Sequence, residues 1–283
     1  MNDAHTPNPV SGQRAQAQFT AALLLERHVN LSVGELRAEL KRIAPQAVLG
    51  HWGGPIVDPA VDPGVEMLTL DGEKLSVLVV DAPAPAAISH PGPFANLLWP
   101  NAEAEAARHE AHIVIIGLEN PVSREVALAK ARAITLLAAA IARRVQAIGA
   151  TWADAANLVS ASAFAKITKN IGQPGVNATP FWVRLMLART APGPRGEPAM
   201  KAGTLGLRIF GLRELEYASA AIDPSFIMQH AYSTAEYLLG SGKHLADGET
   251  IGVEGQARFT VSHADSGDFV SFPVACLSLD ANN

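Results

Sequence analysis

Apolar and polar positions alternate along the chain with two different periods, and the switches between them lay out a series of strands and helices. Phe19–Glu26 is a short apolar run ended by charge, which predicts a buried strand. Ser32 and Glu35 then form an S-x-x-E capping box, with Leu31 and Leu36 placed as a hydrophobic staple. Val33, Leu36, Leu40 and Ile43 follow as an apolar stripe until Pro45 stops the helix. Farther on, Val65–Leu70, Asp71-Gly72 and Glu73–Asp81 read as a hairpin, because Asp-Gly supplies the two positive φ angles of a type I′ turn. The Leu75–Val80 run, broken only by Ser76, predicts a central strand covered on both faces. Ala102–Glu110 reads as a short helix and Ile113–Leu118 as another buried strand. Ser123 caps a long helix that the stripe Val126, Ile134, Leu137, Ile141, Val145 and Ile148 carries to Gly149.

The second half continues with a helical stretch at Ala153–Asn170 and strands at Phe181–Arg189 and Thr204–Phe210. Between those strands, the Pro/Gly-rich arm Ala191–Lys201 is expected to be exposed and mobile. A strand at Leu215–Ala220 leads into a helix with Asp223 as N-cap, Pro224 in its first position and Gly240 at its end. Phe259–His263 and Phe269–Leu279 finish the chain as strands. Strand, capped turn and amphipathic helix thus recur at Phe19–Ile43, Ile113–Ile148 and Leu215–Leu239. The expected fold is α+β: two ferredoxin-like-type β-α-β-β halves, mostly antiparallel sheet with helices packed on one face. Residues 1–17 read as a polar, disordered tail, 18–172 as an N-terminal half and 180–280 as a C-terminal half.

Composition narrows the function classes. Among 283 residues, 48% are hydrophobic and 17% charged, which suits a sizeable core. The single cysteine, Cys276, forms no intramolecular disulfide, and a cytoplasmic setting is expected. The best membrane candidate, Ala133–Ala142, is far shorter than the ~20 residues a span needs. A net charge of −5 with interspersed signs offers no basic stripe for nucleic acid.

Most catalytic motifs fail on spacing. Gly240-Ser241-Gly242-Lys243-His244 ends like a phosphate loop, but it lacks the first glycine and follows a helix rather than a strand. His109-Glu110-Ala111-His112 holds its histidines three apart, where the zinc motif needs i, i+4 on one helix face. No metal and no cofactor is expected. Cys276 reads as a small core residue, and Asp265-Ser266-Gly267-Asp268 as a turn. One candidate ligand pocket remains: His51, Trp52, His90, Trp99 and Trp152 all sit in or beside irregular segments, where flat apolar walls and a few polar groups converge. The competing reading is that these tryptophans seal a minor core under a long loop. A second cluster carries Glu214, Glu216, Asp247 and Glu249, which form an acid–base pair only if the fold brings them together, and which otherwise serve as turn residues.

The run from Gly206 through Phe210 and Gly211 to Glu214 and Glu216, with the later segment Asp247, Gly248, Thr250 and Gly252, resembles the bacterial domain-of-unknown-function family numbered 4261. The resemblance covers about Gly203–Leu279, with Trp99, His112 and Trp152 as a weaker upstream echo. It implies a bacterial setting and carries over no catalytic residue. Two functions follow as expectations. The first is a non-catalytic binding or accessory protein recognising a protein partner or small ligand; the alternative is a hydrolase using loop histidines and carboxylates.

Overall fold

The computed structural model describes residues 19–52, 65–90, 96–192, 199–220, 222–252 and 257–280. The expected tail, the Gly53–Gly64 loop and the centre of the Ala191–Lys201 arm lie outside these residues. The chain divides into two compact units, one of residues 17–92 and 96–182 and the other of residues 183–283.

The N-terminal unit is built on a seven-stranded antiparallel sheet. Its strands are β1 (Thr20–Leu25), β2 (Leu49–His51), β3 (Val65–Leu70), β4 (Glu73–Val80), β5 (Ala111–Gly117), β6 (Ala147–Trp152) and β7 (Asn157–Ser160), in the order β2-β3-β4-β5-β1-β6-β7. β1 and β5, apolar throughout their central residues, occupy the middle and are buried on both faces. Helix α1 (Val33–Ile43) follows β1, and α4 (Arg124–Ala142) joins β5 to β6 across β1. The order β4-β5-β1-β6 with these two crossovers is the ferredoxin-like split βαβ arrangement, extended by β2-β3 on one edge and β7 on the other. The Asp-Gly hairpin forms as expected, with Asp71 at φ 53 and Gly72 at φ 87. Ser32 caps α1 through its hydroxyl, while the Glu35 carboxylate of the capping box meets Arg144 at the end of α4.

Three boundaries differ from the sequence reading, each for a local reason. Helix α4 stops at Ala142, and Val145–Gly149, which continue its apolar stripe, lead into β6. Gly149 is therefore no helix cap. A Cβ there would strike the Trp99 ring, so glycine lets the indole approach β6 closely. The helical stretch after Trp152 begins as the β6-β7 hairpin, turned by the 3₁₀ turn Ala153–Ala155 and by Ala156 at φ 45, and its α-helical part is Ala161–Ile167, α5. Finally, Thr179–Trp182 is a short helix, α6, ahead of the next strand.

The C-terminal unit has a six-stranded sheet of β8 (Arg184–Arg189), β9 (Met200–Leu205), β10 (Glu214–Ala220), β11 (Thr250–Gly252), β12 (Arg258–Ala264) and β13 (Val274–Leu279). Lys201, expected in the mobile arm, lies within β9 and meets Asp268. The order is β11-β12-β13-β10-β9-β8, antiparallel except where β10 runs parallel to β13. Helix α7 (Pro224–Ser241) makes that parallel connection feasible by carrying the chain back over the sheet. It buries Ile227, Ala231, Ala235, Leu238 and Leu239 and ends at Gly242 in the left-handed region, two residues beyond Gly240. Met186, Leu205, Phe269, Val270 and Val274 pack into a second cluster.

Asp223 starts α7 as the sequence predicts: its Oδ1 accepts from Ser225 N–H at 2.7 Å and Phe226 N–H at 3.2 Å. These bonds hold its carboxyl below the ordinary aspartate range. A depressed folded value stabilises the helix above the ordinary range and loses that contribution on acidification. Asp223→Ala is thus expected to melt below wild type at neutral pH, with the gap closing as pH falls through the folded value. Melting curves across pH test this; a gap independent of pH contradicts it.

Candidate functional site

The five residues of the predicted aromatic pocket do not converge. Trp99 is 4% exposed and packs with Leu24, Ala84, Ala102, Ala106 and Leu158. Its Nε1–H donates to Glu105 Oε2 at 2.6 Å within the short helix α3 (Ala102–Ala106). Asn96 pins this segment down by donating to the Leu158 carbonyl and accepting from Leu98 and Trp99 N–H groups. Trp152 lies on the opposite face of β6, because residues three apart on a strand point to opposite sides and Gly149 faces Trp99. It is buried with Phe19, Phe181 and Trp182. Trp52 follows β2 at the far edge of the sheet, its ring under the Lys74 ammonium at 4.8 Å. His51 is exposed on that edge strand, and His90 is exposed just after helix α2 (Ala86–Ser89). The apolar segment around Trp99 therefore seals a minor core.

His109 and His112 are held by the backbone. His109 Nε2 accepts from Ala84 N–H at 2.6 Å while Nδ1 faces the Ala106 carbonyl at 2.5 Å, which sets the proton on Nδ1. His112 Nδ1 likewise lies 2.8 Å from the Ala82 carbonyl and donates to it. Among the described residues, no group of three or more His, Cys, Asp or Glu side chains is placed to hold a metal ion. Elemental analysis of purified protein is expected to find no stoichiometric zinc, and one equivalent contradicts that.

The carboxylates of the C-terminal cluster each hold a backbone turn. Glu214 and Glu216, two apart on β10, share one face of the sheet, while Leu215 and Tyr217 share the other. Glu214 is fully buried; its Oε1 accepts from Gly206 N–H at 2.8 Å and Arg208 N–H at 3.0 Å, and its Oε2 from the Thr204 hydroxyl at 2.7 Å. It thereby fixes the 3₁₀ turn Leu207–Phe210, which buries Phe210 and ends at Gly211 in the left-handed region. Burial pushes the Glu214 carboxyl above the ordinary glutamate range, opposed by these donors. Glu216 accepts from Asp268 N–H at 2.8 and 3.0 Å and lies against Phe269 N–H at 3.4 Å. Gly267 makes this possible, since a Cβ there would collide with the Glu216 carboxylate.

The later motif segment works the same way. Asp247 Oδ1 accepts from His263 N–H at 2.8 Å, and Glu249 Oε2 accepts from Ala246 N–H at 2.8 Å. Gly248, at φ 80, donates to the Val261 carbonyl at 2.8 Å, and the Glu249 carbonyl accepts from Val261 N–H. Thr250 and Gly252 then extend along β12 as β11, opposite Thr260 and Arg258. Burial also shifts Tyr217, His230 and Cys276 of this unit. His230 on α7 and the Tyr217 hydroxyl are bonded at 2.8 Å, and burial raises the phenol and lowers the imidazole. Burial and the nearby Glu216 and Asp268 raise the Cys276 thiol, which weakens it as a nucleophile.

A cavity of about 160 Å³ lies next to the Asp247–Glu249 turn, on the face of the sheet opposite Glu214 and Glu216. Leu212, Leu215, Leu238, Leu245 and Ala275 give it apolar walls, and Arg213, His244 and His263 its polar groups. Leu215, Ala275 and His263 lie opposite one another across β10, β13 and β12, on the α7 side of the sheet. Arg213 Nη1 donates to the Ala264 carbonyl at 3.2 Å, and His263 Nε2 to the Leu245 carbonyl at 2.9 Å. The sequence reading passed over this site. The period-2 alternation Arg213, Glu214, Leu215, Glu216 would have separated its cation from the turn-holding carboxylates, but the pairing of β12 with β13 that delivers His263 is not visible in sequence.

Residues 203–272 match the family model described as a domain of unknown function (DUF4261), which agrees with the resemblance read from the motifs. No curated protein and no solved structure gives a significant match.

Proposed function

We propose that the chain is a non-catalytic binding or accessory protein, bacterial and cytoplasmic in setting, that takes a small ligand or a partner's side chain into the Arg213–His263 cavity. One observation carries this reading: Glu214, Glu216, Asp247 and Glu249 all accept backbone N–H bonds and act as turn anchors. A general acid or base has to reach a substrate proton and exchange its own. Glu214 is out of solvent altogether, and Glu216 is 8% exposed. The hydrolase alternative also calls on loop histidines, yet both ring nitrogens of His109 are engaged by the backbone and His112 donates to the Ala82 carbonyl.

The family-matched segment then has a structural logic. Its glycines and carboxylates build turns, and the one held by Asp247 and Glu249 places Leu245 and His263 at the cavity. Assays with ester, phosphate-ester, glycoside and peptide substrates test the reading. Turnover is expected to stay at the buffer rate. Turnover above buffer that Glu216→Gln abolishes without unfolding overturns the proposal.

A further inference from the structure

We propose that the cavity is a carboxylate site, taking a carboxylate carried on a short branched or single-ring apolar group. The assignment rests on the binding-protein reading and adds the chemistry of the ligand. Arg213 brings the cation. Its bond to the Ala264 carbonyl orients the guanidinium and leaves the remaining N–H edges of the fork for an acceptor. The five apolar walls bring the complementary half: a cavity of about 160 Å³ accommodates a group of roughly benzene size.

Arg213 is the one permanently charged side chain among the described residues that line the cavity. The neighbouring carboxylates Asp247 and Glu249 are turned onto backbone N–H groups of their own loop and of β12. At the end of α7, where helix carbonyls would repel an anion, the Leu238 carbonyl accepts from Gly242 N–H at 3.3 Å. His244 and His263 add imidazoles at the rim. Two sources supply this chemistry, a free small acid and the C-terminal residue of a polypeptide.

The test uses the full chain labelled with ¹⁵N, titrated with isovalerate, benzoate, an N-acetyl dipeptide ending in leucine, and isovaleramide. A ligand this small binds weakly, so titrations run to about 10 mM. The carboxylates are expected to shift the amide resonances of Leu212, His263 and Ala275, while isovaleramide leaves them in place. Arg213→Gln is expected to weaken carboxylate binding about 10- to 100-fold, the usual loss for a charge-assisted hydrogen bond, with the spectrum otherwise folded. Arg213→Lys, which keeps the charge and loses the fork, falls between. Binding of the free acids assigns a metabolite-like source, and binding of the dipeptide alone assigns a chain terminus; either supports the carboxylate site. Carboxylates that cause no shift, or binding unchanged in Arg213→Gln, overturn it. Isovaleramide bound as tightly as isovalerate also overturns it and leaves the binding-protein reading standing. Chemical conversion of a probe, visible in its own spectrum, overturns that reading itself.

Discussion

Glu214→Ala is expected to destabilise the C-terminal unit by about 3–4 kcal/mol, because it strands several buried donors at once. The Gly206 and Arg208 N–H groups and the Thr204 hydroxyl all lose their acceptor in a place that water does not reach. Glu214→Gln keeps one oxygen and should fall between the alanine variant and wild type. The pH dependence separates the two effects. Burial holds the folded carboxyl above its unfolded value, so wild type is expected to lose stability as pH rises from the ordinary glutamate range through that raised value. The glutamine variant should lack this slope. All three tyrosines, Tyr217, Tyr232 and Tyr237, lie in the C-terminal unit, so tyrosine absorbance in urea reports its unfolding. An alanine variant that unfolds with wild type contradicts the anchor.

The second large effect lies in the N-terminal unit. The Lys130 ammonium on α4 is 1% exposed and bonds Glu73 Oε2 at 2.8 Å. Removing the carboxylate leaves a buried cation, and Glu73→Ala is expected to cost about 3 kcal/mol, at the low end for a buried pair because Glu73 keeps 18% exposure. The lysine stem fits under Gly117 and Phe19, so Lys130→Met retains the packing. The double variant Glu73→Ala/Lys130→Met should therefore recover most of the loss. All four tryptophans precede Val183, which makes their fluorescence the readout for this unit. A double variant no more stable than Glu73→Ala contradicts the account.

Local signals predicted local structure well. Ser32, Ser123 and Asp223 cap the helices that the sequence assigns to them, and Asp71-Gly72 turns its hairpin. These features depend on a few adjacent residues and on φ angles that a side chain sets directly. Gly149 shows the limit. Its sequence context reads as a helix end, whereas its role comes from an indole fifty residues earlier. The same limit applies to Trp99 and Trp152: both follow or open irregular segments, and only strand register places them on opposite faces of β6. The motif carboxylates were legible as a cluster, and their division of labour was half-legible from alternation along β10. What each carboxylate grips, the 206–208 turn or the 267–269 turn, depends on loops that pairing of β10 with β9 and β13 brings alongside.

The central claim is that the family-matched carboxylates are turn anchors. Native-state amide hydrogen exchange at Gly206, Arg208 and Asp268 tests it most directly. The account predicts slow exchange at all three in wild type, with Gly206 and Arg208 accelerated in Glu214→Ala and Asp268 accelerated in Glu216→Ala, each without the other. Fast exchange at these amides in folded wild-type protein would show carboxylates free of the backbone and would contradict the claim.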